Sequence, residues 1–173
     1  DGEMVTLDGI SACHDQVKRG DLDFRKVLQT DQSRLARIPF ILESLTTGER
    51  HVLVTDENGI VNTSAAWHAH TQDANANDWA MASADVPEEA VDSAQLDPNA
   101  GIWCGLAPDG SMTAPDDALG ALPYDTYALT ELRADSNAGL DLISMEGISV
   151  TAHGLSIPLG DIEDRVTPPP AIV

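Results

Sequence analysis

Apolar and polar residues alternate over long stretches of this chain, with the period of a β-strand rather than a helix. In "DLDFRKVLQ" (21–29), Leu22, Phe24, Lys26 and Leu28 fall on one face. "IPFILES" (38–44) is a second strand, with Pro39 near its start, where a missing N–H is tolerated. "TTGE" (46–49) turns into a third strand, "RHVLVT" (50–55), and "DENG" (56–59) places Gly59 where a hairpin turn needs a positive φ. "IVNTSA" (60–65) then returns, so this stretch reads as a hairpin whose Val52 and Val54 face the core.

The rhythm breaks between about residues 64 and 120. "HAHTQDANANDWAMAS" (68–83) has no period and reads as a polar loop. "DVPEEAVDSAQL" (85–96) predicts a short helix: Asp85 can cap it, Glu88 completes a capping box, and Pro87 is tolerated in the first turn. "GIWCGLA" (101–107) reads as a short strand between turns. Alternation resumes in "YDTYALTELRA" (124–134), where Tyr127, Leu129 and Glu131 share a face, and residues 139–165 predict three short strands separated by Gly-containing turns. The fold class is therefore mostly β, a sandwich over residues 18–165 with a large insertion at about 64–120 that holds one short helix. Residues 1–17 read as an irregular segment, and "VTPPPAIV" (166–173) as a stiff, Pro-rich linker to a following domain.

Charge narrows the partners. Asp and Glu number 29 against 9 Lys and Arg, a formal net charge of −20, which repels nucleic acid and anionic lipid. No apolar run is long enough to span a membrane. Cys13 and Cys104 match no metal spacing; they could form a disulfide in an oxidising compartment and would stay thiols in a reducing one.

Two polar residues stand on otherwise apolar strand faces: Lys26, between Phe24 and Leu28, and Glu131, after Tyr127 and Leu129. Burying either one charged and alone is costly. Three readings follow: the side chains reach solvent at strand ends, they form a buried ion pair, or they carry out chemistry on each other. In the last, desolvation favours the neutral, nucleophilic amine, while a buried carboxylic acid keeps its proton and polarises the carbonyl of a nearby Asn or Asp. The outcome is a Lys–Asx amide crosslink. Asp164 is a candidate acceptor, because Gly160 interrupts the register and leaves Ile162 and Asp164 on one face.

These motifs, in order ("DLDFRKV", "RLARIPFILES", "TGERHVLVTDENG", "ALPYDTYALTELRADSNAGLDLI" and "IPLGDIEDR"), resemble the prealbumin-like domains of Gram-positive surface proteins. These include the collagen-adhesin B-type and SpaA-type pilin domains, and the likeness extends to those of VaFE-repeat surface-anchored proteins. The resemblance covers roughly residues 18–165. It implies a prealbumin-like or Ig-like sandwich serving as a structural or adhesive module, extracellular on a cell wall. It further implies Lys26 as nucleophile, Glu131 as proton relay and Asp164 as acceptor of a self-crosslink. Two positions depart from the family pattern: Asp164 stands where many relatives carry Asn, so closure expels water, and Ala36-Arg37 replaces a common Ala-Gly pair.

Other constellations add little. His68, His70 and Asp73 lack a third strong ligand at a telling distance, the "DENG" turn is too short for a calcium loop, and no metal or cofactor is expected. No nucleophile elbow or phosphate-cradling glycine motif is present, so turnover of an external substrate is not expected. Trp67 and Trp79 flank the polar loop. Exposed, they would suit a host protein or glycan and make the insertion a dedicated binding surface; buried, they would fill the insertion's own core. The expected partners are otherwise neighbouring domains of the same chain.

Overall fold

The computed structural model describes residues 17–64, 101–102 and 120–169. Their strands form two sheets. In the first, β1 (Arg19–Leu28) runs down the middle; β8 (Ser156–Asp164) lies parallel along one side, and β4 (Ile60–Asn62) and β5 (Leu122–Pro123) pair antiparallel on the other. The second sheet is antiparallel throughout, in the order β3 (Arg50–Val54), β2 (Pro39–Ser44), β6 (Asp125–Glu131) and β7 (Ser144–Val150).

The sheets pack face to face, as the period-two alternation predicted. Leu22, Phe24, Val61, Leu122 and Ile162 of the first meet Phe40, Leu42, Leu53, Tyr127, Leu129, Ile148 and Val150 of the second. Each such side chain contributes roughly 1.5–3 kcal/mol by leaving water. Phe24 and Phe40 link the layers edge to face, with centroids 5.0 Å apart at 75°.

Local pattern misled in three places. Residues 50–62 are not a hairpin: β3 pairs with β2 and β4 with β1, so the turn between them carries the chain from one sheet to the other. Asp56 Oδ1 holds that turn by accepting the N–H groups of Asn58 and Ile60 at 2.8 and 2.9 Å. Val52 and Val54 are buried, yet the register sets His51 and Leu53 opposite Leu42 and Phe40, and it is these that point between the sheets. Residues 139–165 form two strands, not three.

Of the region expected to be an insertion, residues 101–102 are described, and they pack on the sandwich. Ile102 is buried in the core, and its N–H donates to Glu49 Oε2 at 2.9 Å. Arg19, a fully buried residue at the head of β1, donates from Nη1 to Gly101 O and Ala121 O. Asp21 Oδ1 accepts both the Thr63 hydroxyl and the Ala121 N–H, at 2.6 and 3.0 Å. Three buried charged residues, Glu49, Arg19 and Asp21, thus tie Thr63, Gly101, Ile102 and Ala121 to the sandwich. The expected helix at 85–96, Cys13, Cys104, Trp67, Trp79, His68, His70 and Asp73 lie outside the described residues.

Candidate functional site

Lys26 reaches the space between the sheets because it alternates in phase with Leu22 and Phe24. Its backbone is fixed from both sides: its N–H donates to Gly59 O at 2.7 Å, and its carbonyl accepts the Leu35 N–H at 2.9 Å. Gly59 has a φ of 73°, and a Cβ there would stand 2.7 Å from the Lys26 carbonyl oxygen. Only glycine fits that approach. The polar tip of the "DENG" turn thus braces the strand that carries the lysine.

Glu131 ends β6 and registers opposite Phe40, which sets its side chain on the inner face. Asp164 ends β8. The register between β1 and β8 shifts between Asp23 and Arg25, opposite Gly160 with its φ of 76°. The bulge turns Ile162 and Asp164 inward.

The three side chains meet in the core. Lys26 Nζ lies 2.5 Å from Asp164 Oδ1 and 3.1 Å from Glu131 Oε1, and none of the three side chains has any exposed surface. The ammonium also stands 5.7 Å above the centroid of Phe40. One amine cannot balance two buried carboxylates, so one carboxyl must hold a proton. Burial, first of all, pushes Glu131 up to about 7; the Lys26 charge opposes this, the hydrogen bond to Asp164 and then its charge reinforce it, and a hydrogen bond from Asn137 opposes it. Asp164 Oδ2, buried, has no N–H donor facing it.

The arrangement can condense an amine with a carboxylic acid: a nucleophile against its electrophile, and a neutral acid beside both, all shielded from bulk solvent. Sequence reasoning missed Asn137, fully buried, which donates from Nδ2 to Glu131 Oε2 at 2.9 Å. It sits in a 3₁₀ turn, Asp135–Asn137, inside "RADSNAGL", where every residue reads as ordinary turn chemistry. A second buried pair also escaped notice: His51 Nε2 lies 2.6 Å from Glu49 Oε2. Among the described residues, no group of three or more His, Cys, Asp or Glu is placed to hold a metal, and no helix is long and apolar enough to cross a membrane.

No family model and no curated protein matches the chain. Among solved structures it is similar to GBS52, the minor pilin of the Gram-positive pathogen Streptococcus agalactiae, at 14% identity over 91% of this chain and 49% of that one, with a TM-score of 0.44. It is similar to the group B streptococcus pilus 2b backbone protein at 13% identity over 86% and 41%, with a TM-score of 0.42. It is also similar to the Bacillus anthracis TIE protein at 13% identity over 86% and 17%, with a TM-score of 0.40. The chain spans less than half the length of each.

Proposed function

We propose that this domain is a structural module of a Gram-positive surface protein or pilus, made resistant to unfolding by an amide bond that it forms within itself. The bond joins Lys26 Nζ to Asp164 Cγ. Lys26 first passes a proton to the Asp164 carboxylate across their 2.5 Å contact; the amine, now neutral, attacks the carbonyl carbon, the C–N bond forms, and the Asp164 hydroxyl departs as water. Glu131 takes a proton from the nitrogen and delivers one to the leaving oxygen, ending with the proton count it began with. The reaction occurs once per molecule and turns over no external substrate.

The observation that carries the reading is the 2.5 Å approach of Lys26 Nζ to Asp164 Oδ1 inside the core, with the Glu131 carboxyl 3.1 Å from the same amine. The parallel pairing of β1 with β8 suits a load-bearing role, because the bond would join the first and last strands of the described sandwich. Intact mass after reduction tests it. Wild type is expected one water lighter than its sequence, and Lys26→Ala and Asp164→Ala each at full mass; a wild type at full mass overturns the proposal.

A further inference from the structure

Asn137 is bound at both ends of its amide. Its Oδ1 accepts the Ala134 N–H at 2.9 Å, with Arg133 Nη1 at 3.4 Å. Its Nδ2 donates to Leu132 O at 2.7 Å and to Glu131 Oε2 at 2.9 Å. The reversed amide would set two oxygens against each other at Leu132 and two donors against each other at Ala134, so this orientation is determined by its partners. Both Nδ2 hydrogens are then committed, one of them to Glu131.

That donor has a consequence for the acid. The carbonyl oxygen of a carboxylic acid accepts a hydrogen bond better than its hydroxyl oxygen does, so a donor at 2.9 Å favours Oε2 as the carbonyl. Once Lys26 has given up a proton, its amine can accept from Oε1 rather than donate to it, and the donor that remains on that oxygen, the Ile143 N–H at 3.4 Å, is weaker. Oε1 is the oxygen 3.1 Å from Lys26 Nζ. We infer that Asn137 is a positioning residue for the crosslinking reaction, holding the exchangeable proton of Glu131 on Oε1, where it faces the amine and the departing oxygen, rather than on Oε2, where it would face away. This rests on the crosslink proposed above. The groups that face Glu131 are Lys26 from β1, Asp164 from β8, Asn137 from the 3₁₀ turn and the Ile143 N–H before β7. Arg133 touches the far end of the Asn137 amide.

The test follows closure in time. Full-length chain recovered in denaturant before it closes is refolded by dilution, and loss of one water is followed by intact mass across the neutral pH range. Wild type is compared with Asn137→Ala and Asn137→Asp. The aspartate keeps an oxygen to accept the Ala134 N–H but sets its other oxygen against Leu132 O and Glu131 Oε2, so it removes the donor and adds repulsion; circular dichroism of each refolded variant separates slow closure from failure to fold. Both variants are expected to close about 10-fold or more slowly, a fraction of the roughly 100-fold or greater effect of a well-placed acid. The alkaline limb of the rate should also move to higher pH, because Asn137 is one of the groups that hold Glu131 down. A general loosening would slow closure at every pH and leave the limb in place, which also overturns the inference. Wild type that closes, with both variants matching its rate and limb, overturns the inference and leaves the crosslink standing; wild type that never loses water overturns both.

Discussion

Asp164 is the register neighbour of Leu28, and Lys26 is that of Ile162, so the amine and the carboxyl approach diagonally across one step of a parallel ladder. Diagonal neighbours on adjacent strands are within reach of a long side chain. Lysine spans that gap, and the register shift at Gly160 turns Asp164 inward to meet it. The two residues are 138 positions apart, so the contact encloses almost all of the described domain.

That span sets the size of the first effect. Closing a loop this long removes entropy from the unfolded chain worth about 5 kcal/mol by the reasoning applied to disulfides. Lys26→Ala should therefore melt far below wild type. Asp164→Ala should do the same, and the double variant should lose much less than the sum, since one bond cannot be lost twice. Thermal unfolding of the four proteins measures this; additive losses would mean two independent contacts and no covalent bond.

Glu131 supplies a pH dependence. With its carboxyl raised from 4.5 to about 7, it is a neutral acid below that value and a carboxylate above it. Closure on refolding is expected to be faster on the acid side and to fall as pH rises through about 7, the decline tracking the fraction of Glu131 that keeps its proton. In the open chain the same shift means that the fold binds this proton more tightly than the unfolded chain does. The stability this contributes is complete below about 4.5 and lost as pH rises through about 7. Glu131→Gln should abolish closure and remove that slope, as seen by intact mass and by denaturant titration.

Gly59 offers a test of how the lysine is held. With its positive φ and a Cβ only 2.7 Å from Lys26 O, alanine there must displace either the turn or β1. Gly59→Ala is expected to destabilise the fold by more than about 1 kcal/mol and to slow closure, although residue 59 contributes no side chain to the site. Gly48 has a similar φ of 76°, but a methyl group there would meet nothing within 4 Å, so Gly48→Ala should cost stability without changing the rate of closure.

The sheets and the candidate site differ in how far they could be read from sequence, and the reason is range. Period-two alternation is local, so it placed Lys26 and Glu131 on inner faces and, with the break at Gly160, Asp164 as well. Pairing is not local. "RHVLVTDENGIVN" has every mark of a hairpin, yet nothing within it reveals that Ile60–Asn62 will find β1 instead of β3. Register across β2 and β3 decided that Leu53, not Val52, faces inward, because four successive buried residues leave no alternation to read. Asn137 was illegible for a different reason: its role depends on a turn bringing it back onto Glu131, and asparagine in such a turn signals only the turn. Arg37 adopts a φ of 63°, in the left-handed region that favours glycine, and nothing in "RLARIPF" marks that position as needing it.

Asp21 separates the scaffold from the crosslink. It lies on β1 but faces away from Leu22, and its Oδ1 accepts the Thr63 hydroxyl and the Ala121 N–H, groups 58 positions apart in sequence. Asp21→Ala leaves both donors buried without that acceptor and should cost about 1–3 kcal/mol. Asp21→Asn keeps an oxygen in place and should cost less, with the charge-assisted part of the bonds lost. Neither change touches the groups that react, so both variants should still be one water lighter than their sequences while unfolding at lower denaturant. Loss of the water deficit in Asp21→Asn would mean that the anchor at the head of β1 also governs the alignment at its far end. Retained crosslink with reduced stability would instead show the two ends of the strand acting independently.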